Sequence, residues 1–119
     1  MQGLHLTADL RGCAPAPLLC DSAALRALCL AEVQAAGLTP VGELFHPFGA
    51  GQGVTGVALL AESHLALHTW PELRAVTLDV YVCNLGGDNS ARARKLLDRL
   101  LLAFAAEHVE RHELQRGNT

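Results

Sequence analysis

Ten consecutive residues, Glu62-Ser63-His64-Leu65-Ala66-Leu67-His68-Thr69-Trp70-Pro71, hold a carboxylate, two hydroxyls, two imidazoles and an indole. The rest of the chain is dominated by Ala, Leu, Val and Gly, so reactive groups concentrate here. His64 and His68 would meet at a metal ion if the segment were helical. It alternates instead, with Leu65 and Leu67 against His64, Ala66 and His68, which predicts a strand. On a strand the two imidazoles share a face about 13 Å apart, too far for one ion. No HExxH pattern is present either, so no metal site is expected.

Two other chemistries remain. A Ser-His-Asp hydrolase could be drawn from Ser63, His68 and Asp79, but no GxSxG turn surrounds Ser63. Alternatively, a serine Oγ can attack the carbonyl carbon of the preceding peptide bond and convert the amide to an ester. β-Elimination then cuts the chain, and the dehydroalanine left behind hydrolyses to a pyruvoyl group. A nearby base or hydroxyl would assist each proton transfer. Residue spacing does not choose between these chemistries and a polar strand edge without any.

The elements that must position this stretch follow from periodicity. Leu4, Leu6 and Ala8 alternate with His5, Thr7 and Asp9, predicting a strand over residues 3–10 that the prolines Pro15 and Pro17 bring to an end. Asp21 is the expected N-cap of a helix over 22–36, with Leu25, Leu28, Cys29, Val33 and Ala36 on one face and Gly37 as its stop. Further strands are expected over 38–48, 54–61, 64–69 and 75–83. In the last of these, Val76, Leu78, Val80 and Val82 oppose Ala75, Thr77, Asp79, Tyr81 and Cys83. A second helix over 90–107, capped by Asp88 or Asn89, carries the stripe Ala93, Leu96, Leu97, Leu100, Leu101 and Phe104. One more strand is expected over 108–114. The order β-α-β-β-β-β-α-β predicts an α+β fold: a two-layer sandwich of a mainly antiparallel sheet with both helices on one face.

At 119 residues the chain is expected to be one domain, residues 1–119, small enough that a homo-oligomer is plausible. A net charge of −3, with no basic cluster beyond Arg92, Arg94 and Lys95, gives no electrostatic case for nucleic acid. The longest apolar runs, 57–61 and 100–106, fall far short of the roughly 20 residues that span a bilayer. No secretory signal opens the chain, so a cytoplasmic location is expected. Cys13, Cys20, Cys29 and Cys83 lack CxxC spacing and are expected as reduced thiols, the first three structural.

The run Gly53-Val54-Thr55-Gly56-Val57, the block Glu62 to Glu72 and Leu78-Asp79-Val80-Tyr81-Val82-Cys83 together resemble the bacterial S-adenosylmethionine decarboxylase proenzyme family. Weaker similarity continues at His5, Phe45-His46 and Glu113 to Gly117. The resemblance implies self-cleavage between Glu62 and Ser63 into a β chain (1–62) and an α chain (63–119), with Ser63 converted to the pyruvoyl cofactor. It implies that His68 assists processing, supported by Thr55, and that Cys83 is the proton donor. The substrate S-adenosylmethionine would form a Schiff base with the pyruvoyl carbonyl, lose CO2 and feed spermidine and polyamine synthesis. A homodimer of αβ units with active sites near the interface is also implied.

Adenine stacking and a sulfonium cation call for aromatic faces, available in Phe48, Trp70 and Tyr81, whose other reading is core packing. Phe48, Trp70 and Glu72 are the expected substrate contacts; Glu72 could bind ribose hydroxyls. Threonine stands at 55 where the family commonly has serine, the 47–53 loop is about one residue longer, and Leu73-Arg74-Ala75 replaces a more aromatic, glycine-containing stretch. Arg74 and the loop keep open a pyruvoyl-dependent ornithine or arginine decarboxylase on the same scaffold. A non-catalytic paralogue is a further reading, which intact Ser63, His68 and Cys83 disfavour.

Overall fold

A computed structural model describes residues 1–14 and 16–117. Pro15, one of the two prolines expected to break the first strand, lies outside them. Strands β1 (Gly3–Arg11), β2 (Pro40–Pro47), β3 (Val54–Leu60), β4 (Ser63–Trp70), β5 (Ala75–Cys83) and β6 (His108–Arg116) form one sheet, ordered β2-β3-β4-β5-β1-β6. All five pairings are antiparallel. The helices are α1 (Ser22–Ala35) and α2 (Ser90–Phe104). This is the expected two-layer α+β architecture.

Alternation decides which face the helices cover. Leu4, Leu6, Leu10, Ala8, Leu65, Leu67, Val76, Leu78, Val80 and Val82 are buried beneath the helix layer. Leu25, Cys29 and Val33 of α1, and Leu96, Leu97, Leu100 and Phe104 of α2, pack against them. Each buried Leu, Val or Phe among them contributes roughly 1.5–3 kcal/mol through removal from water. Arg99 pairs with Glu32 to join the helices, and Arg94 grips Glu113 through two bonds to join α2 to β6.

The opposite face of the sheet carries His5, Thr7, Thr55, His64, Ala66, His68, Thr77, Asp79 and Tyr81, and no described element covers it.

Local signals set most boundaries. Asp21 caps α1 by accepting from Ala24 N at 3.0 Å. Gly37 takes φ 84 directly after the helix, where a side chain would be strained. Most strand and helix ends fall within two residues of expectation, and other stretches differ more. The second helix stops at Phe104 rather than Glu107, because Ala105 turns left-handed (φ 45) and its N–H caps Leu101 O. Short 3-10 turns at Ala16–Cys20 and Pro71–Leu73 occupy stretches read as loop. The last strand runs on to Arg116, with every residue exposed.

Candidate active site

Strands β3 and β4 form a hairpin in which Leu60 pairs with Ser63, leaving Ala61 and Glu62 as the connection. Glu62 adopts φ 55, a left-handed conformation costing a non-glycine residue about 1 kcal/mol. The bond after it leads to Ser63, the first residue of β4. Ser63 Oγ accepts a hydrogen bond from Cys83 N at 3.1 Å. Cys83, the last residue of β5, is buried, and its Sγ accepts from Leu85 N at 3.4 Å. Glu62, Ser63 and Cys83 therefore meet at one end of the sheet.

The remaining expected site residues gather at the other end of β4. Thr55 pairs with His68 across the β3–β4 ladder, and Thr55 Oγ1 lies 3.0 Å from His68 Nδ1. Around this pair opens a cleft of about 210 Å3 lined by Phe48, Gln52, Gly53, Thr69, Trp70 and Glu72. Phe48 is 62% exposed and Trp70 39%, which overturns core packing as their role. Beneath the cleft, Thr69 Oγ1 donates to Leu19 O at 2.6 Å and accepts from Val54 N at 2.9 Å. That buried hydroxyl fixes the backbone between His68 and Trp70. Gly53 is required beside it: an added Cβ would stand 2.0 Å from Thr69 O.

Within one copy the structure does not bring His68 to Ser63. They stand five positions apart along the strand, roughly 16 Å. Arg74 does not line the cleft either; its Nε donates to Cys13 O at 3.1 Å, so it offers no contact for a simpler substrate there. It adopts φ 49, the conformation a glycine would hold without strain.

His64 joins a polar cluster on the open face. Its ring stacks on Tyr81 with centroids 5.7 Å apart, and His5 approaches both rings edge-on. His5 Nε2 is 3.1 Å from Asp79 Oδ1. Burial pushes the His64 imidazole below its ordinary value; nearby His5 adds to this and Asp79 opposes it. The alternation of β5 had already set Asp79 and Tyr81 on one face with Cys83, but their partners in β1 and β4 came only with the register.

Among the described residues no three His, Cys, Asp or Glu side chains group as metal ligands. All four cysteines are free thiols. Burial, with Glu32 beside it, pushes Cys29 up to about 12. Burial also raises Cys13, partly offset by Arg74. Both favour the neutral thiol of a packing residue. No helix among the described residues is long and apolar enough to cross a membrane.

These features define a two-layer α+β domain that carries a serine and a buried thiol on adjacent strand ends. The family model described as S-adenosylmethionine decarboxylase matches residues 4–117. Proteins named S-adenosylmethionine decarboxylase proenzyme are similar over nearly the whole chain. That of Hydrogenobaculum sp. (strain Y04AAS1) is 39% identical over 97% of this chain and 81% of its own. That of Archaeoglobus fulgidus is 36% identical over 97% of both. The crystal structure of the adenosylmethionine decarboxylase from Aquifex aeolicus superimposes with a TM-score of 0.88 at 33% identity, covering 98% of this chain and 92% of that one. The chain belongs to the S-adenosylmethionine decarboxylase family.

Proposed function

We propose that this chain cuts itself between Glu62 and Ser63 and then decarboxylates S-adenosylmethionine, supplying decarboxylated S-adenosylmethionine for polyamine synthesis in the cytoplasm. Residues 1–62 become the β chain and 63–119 the α chain. The observation that carries the reading is the 3.1 Å bond from Cys83 N to Ser63 Oγ, which puts a thiol-bearing residue beside the nucleophile.

In processing, Ser63 Oγ attacks the Glu62 carbonyl, a base takes the hydroxyl proton, and the C–N bond breaks as the ester forms. Loss of the Ser63 α-proton expels Glu62 as a carboxylate and leaves dehydroalanine. Water adds and ammonia departs, giving a pyruvoyl group at position 63. The left-handed Glu62 raises the energy of the peptide that is cut. A group formed there fits its surroundings, since Ser63 already lies against the Cys83 backbone.

That group supplies a carbonyl that takes up the substrate amine and the electron pair left by CO2. The Cys83 thiol returns a proton to the substrate carbon. Phe48 and Trp70 offer faces for the adenine and the sulfonium, and Glu72 offers a carboxylate to the ribose hydroxyls.

The separation of His68 from Ser63 supports a homodimer of αβ units. A two-fold axis lying along the open sheet face, across β4 near Ala66, would stack two β4 strands antiparallel and carry Thr55 and His68 of one copy toward Ser63 and Cys83 of the other. Leu59 and Leu114, half or more exposed on that face, would be covered.

Intact-mass analysis with ¹⁴CO2 release from S-adenosylmethionine tests the reading. Two fragments and release are expected, with Ser63→Ala uncut and Cys83→Ala cut but slowed about 100-fold or more in turnover. A native chain that stays whole would sink it.

A further inference from the structure

The loop that follows Cys83 is built around two asparagines, Asn84 and Asn89, whose side chains the site described so far does not use. Asn89 occupies the N-cap position of α2, yet its side chain makes no capping bond. Its Nδ2 instead donates to Cys83 O at 2.9 Å. Arg92 Nη1 donates to Asn89 Oδ1 at 2.8 Å. Because a guanidinium only donates, this contact fixes the amide with its oxygen toward Arg92 and its NH2 toward Cys83.

Asn84 completes the arrangement. Its Oδ1 accepts from Asn89 N at 2.8 Å, and its Nδ2 donates to Ser90 Oγ at 3.1 Å. Asn84 N donates in turn to Gln2 O at 2.7 Å, which ties the loop to the start of β1. The capping work at the helix start passes to Asp88, whose Oδ1 accepts from Ser90 N. Both neighbours of the Cys83 side chain along the backbone are thus held. Its N–H points at Ser63 Oγ and its carbonyl is gripped from the helix terminus.

We propose that Asn89, set by Asn84 and Arg92, is a positioning residue that holds Cys83 over position 63. A residue well suited to capping a helix has been turned away from that role to bind the carbonyl of the thiol residue. Residues 84–89 contain Gly86 and Gly87, neither of which would meet any atom with a Cβ, so the loop has room to move. The side chains of Asn84 and Asn89 tie it to the start of α2, beside the bonds from the backbone N–H of Asn84 to Gln2 O and of Leu85 to Cys83 Sγ. The proposal rests on Cys83 as the proton donor for decarboxylation.

Asn89→Asp and Asn89→Ser test it, because both keep a good N-cap while losing the amide donor to Cys83 O. In Asn89→Asp the carboxylate also keeps the contact with Arg92, so the start of α2 is preserved. Two readouts are taken on the full chain: kcat and KM for S-adenosylmethionine, and iodoacetamide labelling of the native protein. Labelling is read on the tryptic peptide 75–92, which contains Cys83 and no other cysteine.

The expected result in both variants is a kcat lower by about tenfold with KM within about twofold, and Cys83 labelling faster by about fivefold. Unchanged labelling, or faster labelling with unchanged kcat, overturns the positioning role. A wild-type chain inert toward S-adenosylmethionine would defeat the decarboxylation reading instead. In that event the labelling comparison alone decides the clamp, with faster labelling supporting it and unchanged labelling overturning it.

Discussion

Thr55 Oγ1 stands 3.0 Å from His68 Nδ1, and both lie five strand positions from Ser63, the residue they would assist. A strand is stiff over that distance, so no side-chain rotation closes roughly 16 Å. The hydroxyl–imidazole pair and the nucleophile meet only if two copies share their parts.

Complementation reads this directly. Neither Ser63→Ala nor His68→Ala alone is expected to be cut. In the proposed homodimer, co-expression would give mixed pairs in which one site combines the intact Ser63 of the His68→Ala chain with the intact His68 of the other. About half of the His68→Ala chains should then appear as two fragments by intact mass. Cutting of His68→Ala on its own would place His68 outside the processing step, and no cleavage in the mixture would mean that two copies do not share one processing site.

Thr55 separates hydroxyl chemistry from strand packing. Thr55→Ser keeps the donor and acceptor facing His68 Nδ1 and should be cut at close to the wild-type rate. Thr55→Val keeps the shape and removes the hydroxyl, and processing should slow by about tenfold or more. Time-resolved mass analysis of freshly made chain distinguishes them. Equal rates would make Thr55 a packing residue.

Much of this was readable from the chain. The alternation of Val76, Leu78, Val80 and Val82 assigns the buried face of β5 without any tertiary information. The Thr55–His68 pair was implicit too: counting back from Leu60 opposite Ser63 puts Thr55 opposite His68. What hid it was the hairpin connection Ala61-Glu62, which lacks the Asn-Gly or Asp-Gly signal that would have set the register. Glu62, Arg74 and Ala105 all take positive φ with no glycine to announce it. Their conformations are imposed by the ladder and by packing, which outweigh local preference. Asn89 stands at the N-cap position and Asp88 accepts from Ser90 N, as the residue types suggest, but nothing in the sequence hints that the Asn89 side chain turns to Cys83.

Gly53 is a position where space alone decides. An added Cβ would stand 2.0 Å from Thr69 O, and that carbonyl belongs to β4, held in the sheet between β3 and β5, and cannot swing aside. Gly53→Ala should destabilise the fold by about 2 kcal/mol or more, mainly by displacing the Thr69 hydroxyl from Val54 N and Leu19 O. Urea unfolding of the uncut Ser63→Ala chain, with and without the second change, measures it. A difference below about 0.5 kcal/mol would mean that the strands separate freely there.

His64 gives the acid response a sign. Burial holds its imidazole below the ordinary value, with His5 adding to the effect and Asp79 opposing it. The folded state therefore prefers the neutral ring, whereas the unfolded chain takes up a proton near pH 6.5. The stability linked to His64 is complete above that value and is lost as pH falls through it toward the lower folded value. The loss is modest, because the ring is only partly removed from solvent. Its stacking partner Tyr81 and its neighbours His5, Asp79 and Arg116 are unchanged in sequence when His64 alone is substituted, so their own titration is common to both chains. His64→Gln should therefore lose less stability than the parent on acidification from about pH 7.5 to about pH 5.5, a difference of about 2 °C in Tm. Thermal melts of the uncut Ser63→Ala background at the two pH values measure this, and parallel curves would assign the acid sensitivity to other groups.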